Sequence, residues 1–349
     1  MKLGFVTLAA VLAGLPAQAE EPLTLSFSGT VAGGWLDFQS ISSSGDGYGY
    51  DGAVVQLKAD AAADYAITET LSVGLAGRLS AREGTQARYD GINLAFGQLP
   101  GEFGTFDLDL AAYLSAGPLV LYYGDVESSF SFATLDIGSD RSPISADGAI
   151  LMNIGGGMGT AGRPLSDTSA LDPRYYTSRT TRADLRLGEF TASVSRSSND
   201  RGDAESAGLR WTTDLGDVKL AIGAGFERGP PTGFPQVDYR SFGGSVQFKG
   251  FTFVISDVRQ LRKLGLPDYD LHYRGYSASY DFGAIVVGAS RARQDSPMGF
   301  PSVFVGEAKA YWLGWDINET SSLDFEMSES DYQTGNDVDA MSLVYSYRF

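Results

Sequence analysis

Read in twos, most of this chain alternates. Between Leu71 and Arg82 the odd positions are Leu71, Val73, Leu75, Gly77, Leu79 and Ala81. The even positions are Ser72, Gly74, Ala76, Arg78, Ser80 and Arg82. One face is apolar and the other small or cationic, which is the two-residue period of a β-strand. Phe190, Ala192 and Val194 alternate in the same way with Thr191, Ser193 and Ser195. So do Val218, Leu220 and Ile222 with Lys219, Ala221 and Gly223, and Leu323, Phe325 and Met327 with Asp324, Glu326 and Ser328. Glycine, aspartate and proline mark tight turns at 115–118, 187–190, 214–217, 248–251 and 281–283. The pattern predicts sixteen strands, at 23–38, 48–66, 70–82, 103–115, 118–124, 175–187, 189–198, 204–215, 217–228, 237–249, 251–261, 270–282, 283–293, 303–315, 320–332 and 339–349.

The last nine residues, MSLVYSYRF, keep the rhythm to the final ring. Chain ends ordinarily fray. A strand this regular is expected to pair with the first one, near Leu23 to Phe27, with Phe349 closing the barrel at the periplasmic interface. Closure removes the sheet edges, whose backbone groups would have no partners in lipid. A charged side chain facing lipid costs roughly 2–4 kcal/mol at mid-membrane, so the polar positions are expected to face inward. Aromatic residues beside the turns (Trp211, Phe248, Phe251, Tyr280, Phe282, Trp312 and Trp315) are placed for an interfacial girdle. The expected fold is all-β: a sixteen-stranded antiparallel transmembrane β-barrel.

Composition agrees. The 349 residues include 44 Gly, 20 Phe and 18 Tyr, and no run reaches the length of an apolar helical span. There is no cysteine, hence no disulfide and no thiolate metal site. Lys2, the apolar stretch at 3–15 and Ala17-Gln18-Ala19 read as a signal peptide over 1–19. The mature chain then runs over 20–349 as a single barrel domain. The 26 basic and 43 acidic residues give a net charge of −17, and −18 once Lys2 is removed. That balance argues against nucleic acid as a partner, because phosphates call for Lys and Arg.

Four features together resemble the general bacterial porins of Gram-negative outer membranes, particularly those of alphaproteobacteria. One is the terminal strand ending in Phe349. The second is the hairpin Ala112-Tyr-Leu-Ser-Ala-Gly-Pro-Leu-Val-Leu-Tyr-Tyr-Gly-Asp125, and the third is the long segment after it. The fourth is the hairpin Arg182-Ala-Asp-Leu-Arg-Leu-Gly-Glu-Phe-Thr-Ala-Ser-Val-Ser195. The resemblance implies a homotrimer set among outer-membrane lipid and lipopolysaccharide. It implies passive, water-filled diffusion of small hydrophilic solutes and ions. It also implies that the third external loop, 125–174, folds into the barrel and narrows it.

That loop carries seven acids against three bases. Glu127, Asp136, Asp140 and Asp147 are the candidate constriction acids, with Glu127 and Asp136 on its early part. Arg78, Arg82, Arg182, Arg186 and Arg210 share the inward parity and form the candidate basic wall, although Asp184 sits between two of them. Carboxylates facing guanidinium groups across a narrow pore would set a transverse field. The acidic balance predicts modest cation preference.

Several motifs are discounted. The Gly157 to Gly162 match to G-x-G-x-x-G lacks the strand–turn–helix context a dinucleotide site needs. The run from Asp46 to Asp51 lacks calcium-loop spacing. No cofactor is expected, and structural calcium at the acidic external loops is left open. His272 shares the parity of neither Ser277 nor Ser279, so a nucleophile–base pair is not expected. The alternatives are a solute-specific outer-membrane channel, for which Tyr175, Tyr176 and Tyr239 could supply an aromatic ladder, an outer-membrane β-barrel enzyme, and a structural or adhesive surface protein.

Overall fold

Alternating segments with one apolar face must hide their backbone and show their grease to a nonaqueous surround, and a closed sheet does both. The computed structural model describes residues 23–41, 47–85, 89–90, 102–135, 137–138, 179–199, 202–229, 236–263, 269–295, 306–332 and 337–349. Its long strands are β1 (Leu23–Ile41), β2 (Gly47–Thr68), β3 (Leu71–Thr85), β4 (Glu102–Ala116), β5 (Leu119–Gly124), β6 (Arg179–Leu187), β7 (Phe190–Asn199) and β8 (Gly202–Leu215). They continue as β9 (Val218–Gly229), β10 (Gln236–Phe248), β11 (Phe251–Lys263), β12 (Tyr269–Asp281), β13 (Ile285–Asp295), β14 (Gly306–Asn318), β15 (Ser321–Tyr332) and β16 (Asp337–Arg348). A two-residue piece, Tyr89–Asp90, pairs with Gly47 and Tyr48 beyond the end of β3. These strands lie within a few residues of the predicted ones.

Each long strand pairs antiparallel with the next, and β16 returns to β1. At one end of the barrel the turns between strands are short; that joining β10 to β11 puts Lys249 at φ 46° and Gly250 at φ 82°. Two positive φ angles in a two-residue hairpin match the right-handed twist of the strands.

The seam differs in register from the expectation. Thr30 pairs with Arg348 and Ile41 with Asp337. Gly29 and Phe349 exchange both backbone hydrogen bonds, each at 3.0 Å. The stretch from Leu23 to Ser28 therefore pairs only with β2, from Tyr65 to Asp60. Barrel strands tilt and stagger, so the closing strand meets β1 part-way along rather than at its start. The Phe349 ring lies 5.5 Å from that of Phe27.

Leu75, Leu110, Phe242 and Phe282 are among many large apolar side chains exposed on the outer face. The inner face is mostly small or polar, with Tyr239, Val258 and Tyr273 buried among the polar residues. Two expectations about facing need correction. Trp312 is an inner-face residue, 7% exposed, because Tyr311, Leu313 and Trp315 hold the outward parity. Its indole fills the space where Gly288 lacks a side chain. The outer face also carries charge toward the ends joined by the longer connections. Arg274–Asp295 (2.5 Å), Arg291–Glu307 (2.6 Å), Lys309–Glu329 (3.1 Å) and Arg259–Asp270 are paired there. Position along the strand, and a partner, make these outward charges tolerable; the penalty falls steeply away from the bilayer centre.

A Cβ at Gly29 would lie 2.5 Å from the Phe349 ring and 2.7 Å from the Lys58 carbonyl oxygen. Gly29→Val is therefore expected to destabilise the closed barrel by about 1–3 kcal/mol. The folded, fast-migrating form in unheated detergent electrophoresis should be lost at a lower temperature than in the parent protein.

Candidate functional site

After β5 the chain turns onto the inner wall. Ser128 begins a five-residue helix, α1 (Ser129–Ala133), by accepting a hydrogen bond from the Ser131 N–H at 3.3 Å. Ser, Thr, Asp and Asn are preferred at such a cap because their oxygens satisfy an otherwise orphaned N–H. The segment from Ser129 to Ile137 rests on inner-face glycines. A Cβ at Gly208 would sit 2.2 Å from the Ser129 carbonyl oxygen, and one at Gly223 would sit 1.9 Å from that of Ala133. Gly243 lies under Leu135 and Gly275 under Ile137. The neighbouring outward positions are Leu209, Ile222, Phe242 and Tyr276, all exposed, so the glycines occupy the opposite face.

Polar contacts hold the same segment. The Ser129 N–H donates to Ser195 Oγ at 2.9 Å and Ser206 Oγ at 3.0 Å. Ser129 Oγ lies 2.7 Å from Ser193 Oγ, and Ser193 donates to Asp184 Oδ1 at 2.6 Å. Thr134 Oγ1 donates to Ser241 Oγ at 2.7 Å. Phe130 is fully buried, its ring 5.9 Å from that of Tyr239.

The candidate residues separate into three groups. Arg182 and Glu127 are brought together. Arg182 Nη1 donates to Glu127 Oε1 at 3.2 Å and Nη2 donates to Asp184 Oδ2 at 3.0 Å. Its guanidinium is 4.7 Å from the Tyr122 ring centroid and 5.2 Å from that of Phe132. Glu127 thus touches the arginine that it was expected to face across a gap. A guanidinium only 7% exposed needs its counter-charge at contact distance, because desolvation of a lone ion costs several kcal/mol.

Of the other arginines, Arg210 borders this cluster, its guanidinium 5.9 Å from the Phe132 ring centroid, and Arg78 stands apart from it. Arg210 Nη1 reaches the Phe132 carbonyl oxygen at 3.4 Å. Arg186 is exposed near the turn between β6 and β7. Arg78 pairs with Asp60 at 2.7 Å on another part of the wall. Asp136, Asp140 and Asp147, Tyr175 and Tyr176, and the side chain of Arg82 lie outside the described residues, as does Gly157 to Gly162.

Tyr239 faces inward, but is buried and accepts a hydrogen bond from Gln260 Nε2 at 2.7 Å, so it offers no open stacking face. His272 Nε2 meets Asp257 Oδ2 at 2.7 Å on the outer face, whereas Ser277 is an inner-face residue. Among the described residues, no group of three or more His, Cys, Asp or Glu side chains is placed to hold a metal ion. The glycine seat was not recognised from sequence. Its signal was present in the glycines at inward parity on β8, β9, β10 and β12.

The barrel is similar to a porin of Rhodopseudomonas blastica, solved as a triple mutant. The TM-score is 0.51 and the sequence identity 12%, over 93% of this chain and 100% of that one. It is similar to OccAB4 of Acinetobacter baumannii, with a TM-score of 0.55 and 9% identity over 96% of this chain and 100% of that one. It is also similar to OpdK of Pseudomonas aeruginosa, solved with vanillate, with a TM-score of 0.54 and 12% identity over 93% and 98%. No protein-family model and no curated protein matches the sequence. At these identities the likeness shows the fold, which is that of a porin-type β-barrel.

Gly223→Val should lift the segment off its seat. Overpacking of about 1–3 kcal/mol predicts amide hydrogen exchange at Ser129 to Thr134 faster by about one to two decades. Gly244→Val, whose Cβ position is 3.7 Å from its nearest neighbour, is the matched substitution that should leave exchange there unchanged.

Proposed function

We propose that this protein is an outer-membrane porin that lets small hydrophilic solutes and ions diffuse through a water-filled barrel. The observation that carries this reading is the closed sheet with exposed apolar residues outside and small polar residues inside. The signal peptide at 1–19 would deliver the chain to the outer membrane of a Gram-negative bacterium. The paired charges on the outer face suit a boundary with polar headgroups, lipopolysaccharide among them. The whole segment 125–174 folds inward and narrows the passage; the seating of Ser129 to Ile137 supports this. The assembly is a homotrimer, supported by the low outward relief of Ala59, Ala61 and Ala63 on β2 beside Gly77 on β3. A second reading, a solute-specific channel, draws support from the likeness to OpdK, a structure solved with vanillate.

Purified protein in planar bilayers should give stepwise, ohmic conductance, and deletion of 139–174 should raise the single-channel value. Unchanged conductance after the deletion would remove the loop from the constriction, and no conductance in the parent protein would remove the channel. Ala61→Trp should convert detergent-resistant trimers to monomers on native mass analysis while the barrel stays folded.

A further inference from the structure

The apolar band on the outer face is not of one height. On β2 seven uncharged outward positions run from Ile67 to Val55. On β9 five, Val218 to Phe226, separate the turn residue Asp217 from Arg228. On β11 only three, Phe251 to Ile255, separate the turn residue Lys249 from Asp257. The neighbouring strands repeat this count, with Tyr280 to Tyr276 below Arg274 on β12 and Ile285 to Ala289 below Arg291 on β13. At about 3.4 Å per residue and a tilt of about 35–45°, Phe251 to Ile255 gives about 10–11 Å of height. Val218 to Phe226 gives about 19–22 Å by the same arithmetic, close to the usual band of about 25 Å.

We infer that the bilayer thins around β11, β12 and β13, where polar headgroups descend to meet the charged belt, so that the hydrocarbon boundary slopes around the barrel. This rests on the outer-membrane reading above. A band of uniform height would submerge Asp257, Arg274 and Arg291 together with their partners His272, Asp295 and Glu307. Arginine can carry its charge toward water on its long stem, but Asp257 and Asp295 are short and cannot. Pairing does not remove the desolvation cost of each ion, whereas each ångström of mismatch costs the bilayer only a small fraction of that. The bilayer therefore yields before the charges do. The belt carries both signs, which fits headgroups that carry both, such as those of phosphatidylcholine.

The test compares two outward alanines. Ala289 lies directly below Arg291 on β13, whereas Phe226 intervenes between Ala224 and Arg228 on β9. The chain has no cysteine, so Ala289→Cys and Ala224→Cys can each carry a nitroxide in the full-length protein, refolded into dioleoyl phosphatidylcholine vesicles. Insertion is checked first by heat-modifiable mobility. Relaxation by a water-soluble nickel chelate, taken relative to relaxation by oxygen, should be severalfold greater at 289 than at 224. Adding Arg291→Leu together with Glu307→Leu should extend the apolar band and lower the ratio at 289 toward that at 224. Equal ratios at the two sites, or a ratio at 289 that the paired Leu substitutions leave unmoved, overturn the proposal. A parent protein that does not enter vesicles sinks the membrane reading itself, and its mobility distinguishes that failure before any depth is read.

Discussion

A sheet in hydrocarbon has no water to satisfy its backbone, so each N–H and C=O must find a partner inside the protein. In this barrel that requirement converges on the seam between β1 and β16, where Gly29 and Phe349 exchange hydrogen bonds at the last residue of the chain. Much else follows. The final strand cannot fray, because its end is held in the ladder. Gly29 has no side chain, because the Phe349 ring occupies that space. The stagger that closure imposes leaves Leu23 to Ser28 paired on one side only.

Once neighbouring strands satisfy the backbone, the inner face is free to dispense with side chains. Glycine in a strand costs about 0.5–1 kcal/mol in conformational freedom, and weakens packing unless another group uses the space. Here the group is another piece of backbone. The Ser129 and Ala133 carbonyls enter the Cβ spaces of Gly208 and Gly223. Phe130, Leu135 and Ile137 become buried as a result, each stabilising by about 1.5–3 kcal/mol. Burial of three such side chains outweighs the cost of a few glycines, so the seat is favourable as a unit.

Strand positions and turns were legible because they depend on a local period. Parity alone assigned Phe190, Val194 and Ile222 outward and Ser193 and Ser195 inward. The register of closure was not legible, since it depends on tilt and stagger summed around the barrel. Trp312 was misplaced because proximity to a turn was weighed above its own parity beside Leu313. The short helix was missed: five residues are too few for a 3.6-residue period to appear, and only the Ser128 cap could have signalled it. The glycine seat escaped notice for a related reason. Glycine reads as a turn or as weakness when taken singly, and its meaning here lies in the alignment of four strands.

The candidate site shows the same boundary between local and assembled information. Arg78 and Arg182 share inward parity, and only Asp184, two residues from Arg182, distinguishes their immediate sequences. The fold separates them. Arg182 is enclosed by Tyr122, Phe132, Glu127 and Asp184, and a charge that deep persists only with its counter-charges in contact. Such a cluster, one guanidinium between two carboxylates, fixes the start of a segment to the wall. Arg78 keeps most of its side chain in solvent and meets Asp60 at the surface of the cavity, where an ion pair contributes little to stability. The residues that hold the barrel's interior in shape and those that stay open to solvent are therefore sorted by the assembled fold, although both arise from one alternating pattern.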